Sequence, residues 1–344
     1  MKAFDNSKYY SIQKKAIEDR ISKFKDKLYL EIGGKLLYDE HAKNVLPGFD
    51  PTVKIKIIND FKDDFELLFC VNANDIIKNR QLKPNSRNFI EECITLIKEY
   101  EQVFSKKPKV VINNISAVEI EGCIKEFIRI IEISNFQHFK RFFIKNYPKD
   151  TDTIISNEGY GKDDYIDTKK RLVIVSGAAS NSGKLSTAMG QIYNDSLRGL
   201  NSGYAKYELF PIWNLPLDHP VNLAYEAATA DIGDYNLIDE YHKMAYGINS
   251  VNYNRDIEAF EILKSIAEKI VSKDNYIRTY KSPTDMGINM AGFCIIDDDL
   301  TRKSAIEEII RRRDYYKSEY KIGRGKEEWY KKCEDLINHI IKKN

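Results

Sequence analysis

The stretch RLVIVSGAASNSGKLST, residues 171–187, decides the fold class of this chain. Its first part, 171–176, is apolar on both faces, a pattern typical of a strand buried at the centre of a parallel sheet. Small residues follow, then Gly183 and Lys184, and then the periodicity of a helix. We therefore predict a central parallel strand, a tight loop and a helix, in that order.

Similar apolar runs occur earlier in the chain and alternate with segments of helical periodicity. The predicted strands are 28–32, 65–71, 110–115 and 138–144. The predicted helices are 6–26, 86–104 and 118–131. Strands that alternate with helices predict βαβ units and a mostly parallel sheet, in which ligands bind where the carboxyl ends of the strands meet.

The second half of the chain has a different composition. Residues 203–256 are rich in Asn, Asp, Gly, Pro and Tyr, and we predict that they form loops around the sheet edge with one short helix near 221–230. Helical periodicity returns at 257–272, 303–322 and 326–342. The predicted architecture is an α/β domain at 1–255, built on a mostly parallel sheet with flanking helices and carrying the strand, loop and helix at 171–190, followed by a mainly helical C-terminal region at 256–344.

The composition narrows the class of protein. Basic and acidic residues number 54 and 52, a net charge of +2, which leaves no excess of positive charge for binding nucleic acid. No apolar run is long enough to span a membrane, and the N-terminus lacks the apolar core of a signal peptide. The five cysteines and five histidines are scattered, without the spacing of a disulfide framework or a metal site. We expect a cytoplasmic protein.

The loop after the central strand has the composition of a phosphate site. Backbone N–H groups at the start of a helix bind anions, and a lysine there adds a positive charge. The loop departs from a P-loop because Ala178 replaces the first glycine and Leu185 replaces the Ser or Thr that would bind Mg²⁺. The alternative is a tight turn that needs small residues only for packing. The predicted phosphate-binding residues are Ser180, Asn181, Ser182, Gly183, Lys184, Ser186 and Thr187.

Other polar residues lie at strand ends or in long loops. Because the carboxyl ends of parallel strands meet at one edge of the sheet, we expect Glu31, Asn72 and Asn74 to share a cleft with Lys184. Polar loop residues are further candidates for the walls of a pocket, although such loops are equally often ordered connections. These candidates are His219, Asn254, Arg255 and Asp285.

An acidic run at 297–299 follows the apolar run 293–296, which reads as a strand. Asp297 at the end of that strand is a candidate ligand for Mg²⁺. The alternative, which the pattern favours, is that the acidic residues cap the helix that follows.

Six stretches resemble the bacterial family called domain of unknown function 1846. They are YLEIGGKLLYDEHAKNVLPGFDP (29–51), NEGYGKDDYI (157–166), SGKLSTAMGQIYND (182–195), GYAKYELFPIWNLPLDHPVNLAYEAATADI (203–232), SVNYNRDIEAF (250–260) and YKSPTDMGINMAGFCIIDD (280–298). The resemblance covers nearly the whole chain and is weakest at 80–145. It implies an intracellular bacterial protein and carries over no activity.

The same resemblance bears on the loop and on the length of the chain. Members of the family usually have Pro and Gly in the loop where this chain has 178–181, whereas Gly183 and Lys184 match. Members also continue into a further α/β subdomain, which implies that this chain lacks the C-terminal subdomain.

These patterns favour the binding of a phosphorylated small molecule or a nucleotide. A nucleotide would bring Mg²⁺ as a cofactor, and phosphoryl transfer or hydrolysis would be the reaction. The alternative is a non-catalytic scaffold or regulatory protein that forms a homo-oligomer through its helical region. The sequence leaves open whether the protein is an enzyme.

Overall fold

The computed structural model describes residues 2–82, 88–116 and 122–343. Its strands are β1 (Lys27–Ile32), β2 (Phe65–Asn72), β3 (Lys109–Ile115), β4 (His138–Phe142), β5 (Leu172–Gly177), β6 (Ser202–Tyr207), β7 (Asn236–Ile238), β8 (Val251–Tyr253) and β9 (Gly287–Ile288). Its α-helices are α1 (Asn6–Ser22), α2 (Glu40–Val45), α3 (Val53–Asn59), α4 (Ala73–Ile77), α5 (Phe89–Phe104), α6 (Cys123–Ile133), α7 (Thr151–Ile154), α8 (Lys184–Leu197), α9 (Pro220–Ala228), α10 (Glu240–Tyr246), α11 (Asn254–Ile270), α12 (Pro283–Met286), α13 (Asp298–Lys321) and α14 (Glu327–Lys343).

Seven strands form one parallel sheet in the order β4-β3-β2-β5-β1-β6-β9. Strand β5 is the middle strand, and Leu172 is paired with Leu28 of β1 on one side and Phe65 of β2 on the other. Its apolar side chains are buried on both faces. The predicted central parallel strand is therefore confirmed, as is the α/β class with flanking helices and a helical C-terminal region.

The order of the strands opens a crevice at the carboxyl edge of the sheet. The chain passes from β1 to β2 on one side of β5, and later from β5 to β6 on the far side of β1. Connections that leave neighbouring strands in opposite directions place their helices on opposite faces, and a crevice forms between the strand ends. Here the crevice lies between the ends of β1 and β5.

The helices that cover the sheet follow the expected spacing of apolar residues. In α5, the buried side chains recur every three or four positions, at Phe89, Cys93, Ile97, Tyr100 and Phe104. This spacing places them on one side of the helix, which packs on the sheet. The Tyr100 hydroxyl also forms a 2.6 Å hydrogen bond with the Ser176 hydroxyl of β5.

The prediction that 203–256 consists of loops and one short helix was wrong in part. Strand β6 lies within the sheet next to β1 and is buried along its whole length. Gly203 and Lys206 break the apolar pattern that identifies a buried strand. The segment also contains α10 and the antiparallel pair β7 and β8. The short helix predicted near 221–230 is α9.

The apolar run 293–296 was also wrongly predicted as a strand. It belongs to a 3-10 turn at Ala291–Cys294 followed by a single bridge from Ile295 to Phe4. The predicted helices 86–104 and 118–131 correspond to α5 and α6, but residues 86, 87 and 118–121 lie outside the described residues. The division of the chain at residue 255 stays a prediction, and β9 joins the sheet from beyond that point.

Helix α13, in the C-terminal helical region, is attached to the rest of the protein through a buried carboxylate. The side chain of Glu308 is 2% exposed and lies 3.2 Å from His41 Nδ1 of α2, and it accepts a 3.1 Å hydrogen bond from Asn44. Arg312 donates to it at 2.9 Å. Burial opposes ionisation, but His41 and Arg312 outweigh burial and lower the pKa of Glu308 to about 2.

We expect Glu308→Ala to lower the free energy of unfolding by about 3 kcal/mol, because it leaves buried donors and a cation without their acceptor. Glu307 is exposed on the same helix, so Glu307→Ala is the matched control and is expected to change stability by less than about 0.5 kcal/mol. Urea denaturation of both variants measures the difference. Equal stability of the two variants would show that Glu308 does not anchor α13.

Candidate functional site

The loop between β5 and α8 turns back sharply over the end of the sheet. Asn181 and Gly183 have positive φ angles of 63° and 87°. A side chain at position 183 would also lie 2.7 Å from the Asn113 side chain, so only glycine fits there. Position 177 is equally constrained, because a Cβ atom there would be 2.1 Å from Ser182 Oγ. These two glycines allow the loop to pack closely against the ends of β3 and β5.

Side chains from neighbouring parts of the sheet hold the carbonyl groups of this loop. The donors are Asn72 to the Asn181 carbonyl at 2.9 Å, Asn113 to the Ser182 carbonyl at 2.9 Å and Arg80 to the Ser180 carbonyl at 3.0 Å. Residues 180 and 181 form a turn that engages the N–H of Ser182, whereas within the part of the chain that the structure describes we find no protein acceptor for the other backbone N–H groups of 179–183. The loop therefore has the carbonyl oxygens of 180–182 engaged and most of its N–H groups available.

Lys184 is the first residue of α8 and lies beside a carboxylate of the neighbouring strand. Its Nζ atom is 3.7 Å from Oε1 of Glu31, near the end of β1. The other oxygen of Glu31 accepts a 2.9 Å hydrogen bond from the Tyr204 hydroxyl. The lysine and its counter-ion thus face each other across the crevice between β1 and β5.

The two hydroxyl groups predicted to orient phosphate are used within the protein. Thr187 is fully buried and its hydroxyl donates to Asn113 Oδ1 at 3.0 Å. The carbonyl of Ser186 accepts a 2.8 Å hydrogen bond from Arg141, and its hydroxyl lies 3.4 Å from the same guanidinium. Ser182 Oγ is buried and has no hydrogen-bond partner among the described residues.

Some of the other predicted site residues do lie at the loop. Asn72 contacts the loop directly, while its side chain also accepts a hydrogen bond from the backbone N–H of Asn74 and so begins α4. Arg255 donates to the Asn181 side chain at 2.6 Å and forms an ion pair of 2.6 Å with Asp234. Glu31, Asn72, Lys184 and Arg255 therefore surround one end of the sheet.

Other predicted residues have structural contacts elsewhere. His219 caps α9 by accepting from the Val221 N–H, and its Nε2 lies 2.9 Å from Asp298. The Asn254 side chain accepts from the Tyr235 N–H at 3.1 Å. Asp285 lies apart from the loop contacts, in the wall of a cavity beyond β6.

Asp297 is the N-cap of α13, and its side chain accepts from the Leu300 N–H at 2.9 Å. Helix capping is the alternative to Mg²⁺ binding that the sequence pattern favoured. No three His, Cys, Asp or Glu side chains of the described ranges form a group that could hold a metal ion.

A buried charged cluster at the end of β6 was missed in the sequence. Lys206 Nζ forms ion pairs of 2.9 Å with Glu208 and 2.6 Å with Asp256, and all three side chains are at most 15% exposed. Tyr204, Lys206 and Glu208 alternate along the chain, which is the signal that places them on one face of a strand. The polar composition of the surrounding segment concealed that signal.

The pKa values of this cluster are shifted by burial and by charge. Burial, reinforced by Asp256, raises the pKa of Glu208 to about 7, although Lys206 opposes the shift. Burial acts to lower the pKa of Lys206, but Asp256 and Glu208 outweigh it and raise that pKa above its usual value.

Glu208 also borders a cavity of about 410 Å³ beyond β6. Its walls include Trp213, Tyr246, Tyr280 and Asp285. The loop after β5, the charged cluster on β6 and this cavity beside β9 follow one another in the order of the strands across the sheet.

The fold and the placement of these residues define an α/β protein with a crevice at the carboxyl edge of a parallel sheet. The chain matches the family described as domain of unknown function DUF1846, N-terminal, over residues 2–341, and it belongs to that family. The resemblance found in the sequence is thereby confirmed. Among the described helices, none is both long and apolar enough to cross a bilayer.

Relatives of this chain occur in several bacteria. It is 44% identical over 340 residues to the UPF0371 protein of Streptococcus sanguinis and 44% identical over 339 residues to a UPF0371 protein of Fusobacterium nucleatum. The alignments cover 98% of this chain, and 67% and 65% of those two relatives. The chain thus spans about two thirds of the length of the relatives that it matches.

We expect Glu208→Gln to change how stability depends on pH. The pKa of Glu208 is about 7 in the folded protein, whereas the pKa of an unfolded Glu is ~4.3. Between these values the folded state holds more protons, so this group makes the wild type less stable as pH rises. The Gln variant cannot titrate at this position. Its free energy of unfolding should therefore rise by about 1–3 kcal/mol relative to wild type between about pH 5 and 8.

Urea denaturation at several pH values measures this gain. The Glu258→Gln variant controls for the loss of an exposed carboxylate. If the free energies of unfolding of Glu208→Gln and wild type differed by the same amount at every pH, the raised pKa of Glu208 would be contradicted.

Proposed function

We propose that the loop 179–184 binds the phosphate group of a phosphorylated small molecule. The observation that carries this proposal is the set of backbone N–H groups at 179–183, all but that of Ser182, that lack a protein acceptor within the described ranges. Successive N–H groups in a turn form a concave site for an anion, and the N-terminus of α8 adds a favourable potential. Lys184 stands at the same helix end.

The electrostatic balance of the crevice supports the same proposal. Lys184 Nζ lies 3.7 Å from Glu31, a distance longer than a hydrogen bond. A phosphate in the loop would attract the ammonium group more strongly, because its oxygens carry more charge and can accept at hydrogen-bonding distance. Glu31 would keep the hydrogen bond from Tyr204, so its carboxylate would not be left without a donor.

Of the two ligand classes, a sugar phosphate or similar metabolite is better supported than a magnesium nucleotide. Mg²⁺ in a P-loop is held by a hydroxyl directly after the lysine, and this chain has Leu185 there. The next two hydroxyls contact Arg141 and Asn113. Phosphoryl transfer or hydrolysis would draw on Glu208, which has a pKa near neutrality.

We expect Lys184→Ala to weaken binding of a phosphorylated ligand by about 1–3 kcal/mol, the range of a charge-assisted hydrogen bond. A thermal-shift screen of sugar phosphates, nucleotides and inorganic pyrophosphate selects the ligand, and calorimetric titration compares the variants. Lys169→Ala removes an exposed lysine outside the site and is the matched control. Equal affinity of wild type and a folded Lys184→Ala protein would reject the site.

Gly183→Val is expected to abolish measurable binding, because the new side chain would collide with Asn113 and displace the loop. Its melting temperature distinguishes a displaced loop from an unfolded protein. Full affinity in this variant would mean that the loop is only a packing turn.

A further inference from the structure

We propose that the 410 Å³ cavity beside β9 is a binding site for a neutral polyhydroxylated ring, such as a monosaccharide or a cyclitol. The cavity combines aromatic side chains with carboxylate oxygens that lack donors. Its volume is within the range of small-molecule sites. The inference depends on the lining of the cavity and not on the phosphate loop, and it shares only Glu208 with the proposed function.

The carboxylates of the cavity keep one oxygen each for a ligand. Glu208 Oε1 is paired with Lys206 at 2.9 Å, while no donor of the described residues reaches Oε2. Asp285 Oδ2 accepts from the Tyr246 hydroxyl at 2.9 Å and the Lys281 N–H at 2.8 Å. Its other oxygen lies 3.8 Å from His242 Nδ1. Glu208 and Asp285 both line the cavity, so two carboxylates are available to a ligand there.

Each of these carboxylates already has one oxygen engaged by the protein. Lys206, which is also paired with Asp256, contacts one oxygen of Glu208, and a hydroxyl and a backbone N–H donate to one oxygen of Asp285. The second oxygen of each carboxylate can accept a hydrogen bond from a ligand. Hydroxyl groups can donate such a bond, and a carboxylate is an acceptor only.

Much of the donor capacity of the cavity wall is used inside the protein. Arg20 donates to the Tyr280 hydroxyl at 2.8 Å and to backbone carbonyls at 3.3 and 3.4 Å. The Trp213 indole donates to the Asn289 carbonyl at 2.8 Å. This leaves an excess of acceptors, which favours a ligand rich in hydroxyl groups over a phosphate or carboxylate.

The aromatic side chains suit the apolar face of a sugar ring. Trp213, Tyr246 and Tyr280 border the cavity, and His242 packs against Trp213 and Tyr246 at ring distances of 6.2 and 4.7 Å. Sugars present C–H groups on one face and hydroxyls around the edge. An aromatic wall beside carboxylate acceptors matches both features.

Trp213 in the cavity wall provides a fluorescence signal for ligand binding. The chain has two tryptophans, and Trp329 lies on α14, where it packs against Tyr316. In Trp329→Phe protein, Trp213 fluorescence therefore reports on the cavity alone. The probes are glucose, galactose, mannose, ribose and myo-inositol, each with its phosphate ester and, for glucose, a deoxy analogue.

We expect at least one unphosphorylated probe to change Trp213 fluorescence saturably. Glu208→Gln and Asp285→Asn should each weaken that probe about tenfold or more, because each removes a charged acceptor from a ligand hydroxyl. Asp274→Asn, an exposed carboxylate, is the control and should leave affinity unchanged. Melting curves verify that the variants are folded. If Asp285→Asn does not fold, Glu208→Gln still tests the proposal, because it preserves the shape of the side chain.

The two sources of a hydroxylated ring give different results. If a free sugar is the ligand, Lys184→Ala leaves its affinity unchanged. If the ring belongs to a sugar phosphate that spans both sites, the ester binds more tightly than the sugar and loses that gain in Lys184→Ala. Absence of saturable binding by every sugar and ester to folded protein overturns the proposal. Adenosine and choline are titrated in parallel, and binding of either in place of all sugars also overturns the proposal.

Discussion

A single buried amide, the side chain of Asn113, holds the candidate site in its shape. Its Nδ2 donates to the Ser182 carbonyl at 2.9 Å, and its Oδ1 accepts from the Thr187 hydroxyl at 3.0 Å. Gly183 lies directly against it. One side chain of β3 thus ties the loop and the first turn of α8 to the sheet across β2. Because its amide is buried, loss of either bond would leave a polar group without a partner.

The parallel register explains how this arrangement arises. Asn72 of β2 is paired with Asn113 of β3, so two amides stand side by side at the ends of neighbouring strands. Both donate to carbonyls of the loop after β5. On the other side of β5, the charged residues Lys184, Glu31, Lys206 and Glu208 follow one another across β1 and β6 with alternating sign. Buried charges are tolerated when each has a partner of opposite charge, and this series meets that condition.

Sequence patterns predicted the parts of the structure that local physics decides. The strand at 172–177 and the helix after it follow from apolar periodicity and small residues. Strand β6 was not predicted because Gly203 and Lys206 interrupt the apolar pattern. Their burial depends on contacts with Phe24, β8 and α11, which are distant in the sequence. Asn113 was not selected as a site residue, since its contacts lie more than sixty positions away in the chain. His219 was selected for its residue type, but its ring caps a helix.

Backbone amide NMR spectra of isotope-labelled protein, titrated with inorganic pyrophosphate, test the central claim most directly. The N–H groups of 179–184 are the atoms that would bind the anion. If the loop is a phosphate site, the amide signals of these residues shift progressively and saturate, while those of α13 and α14 stay in place. If these signals remain unchanged while the protein is folded, the loop is a packing turn and does not bind phosphate.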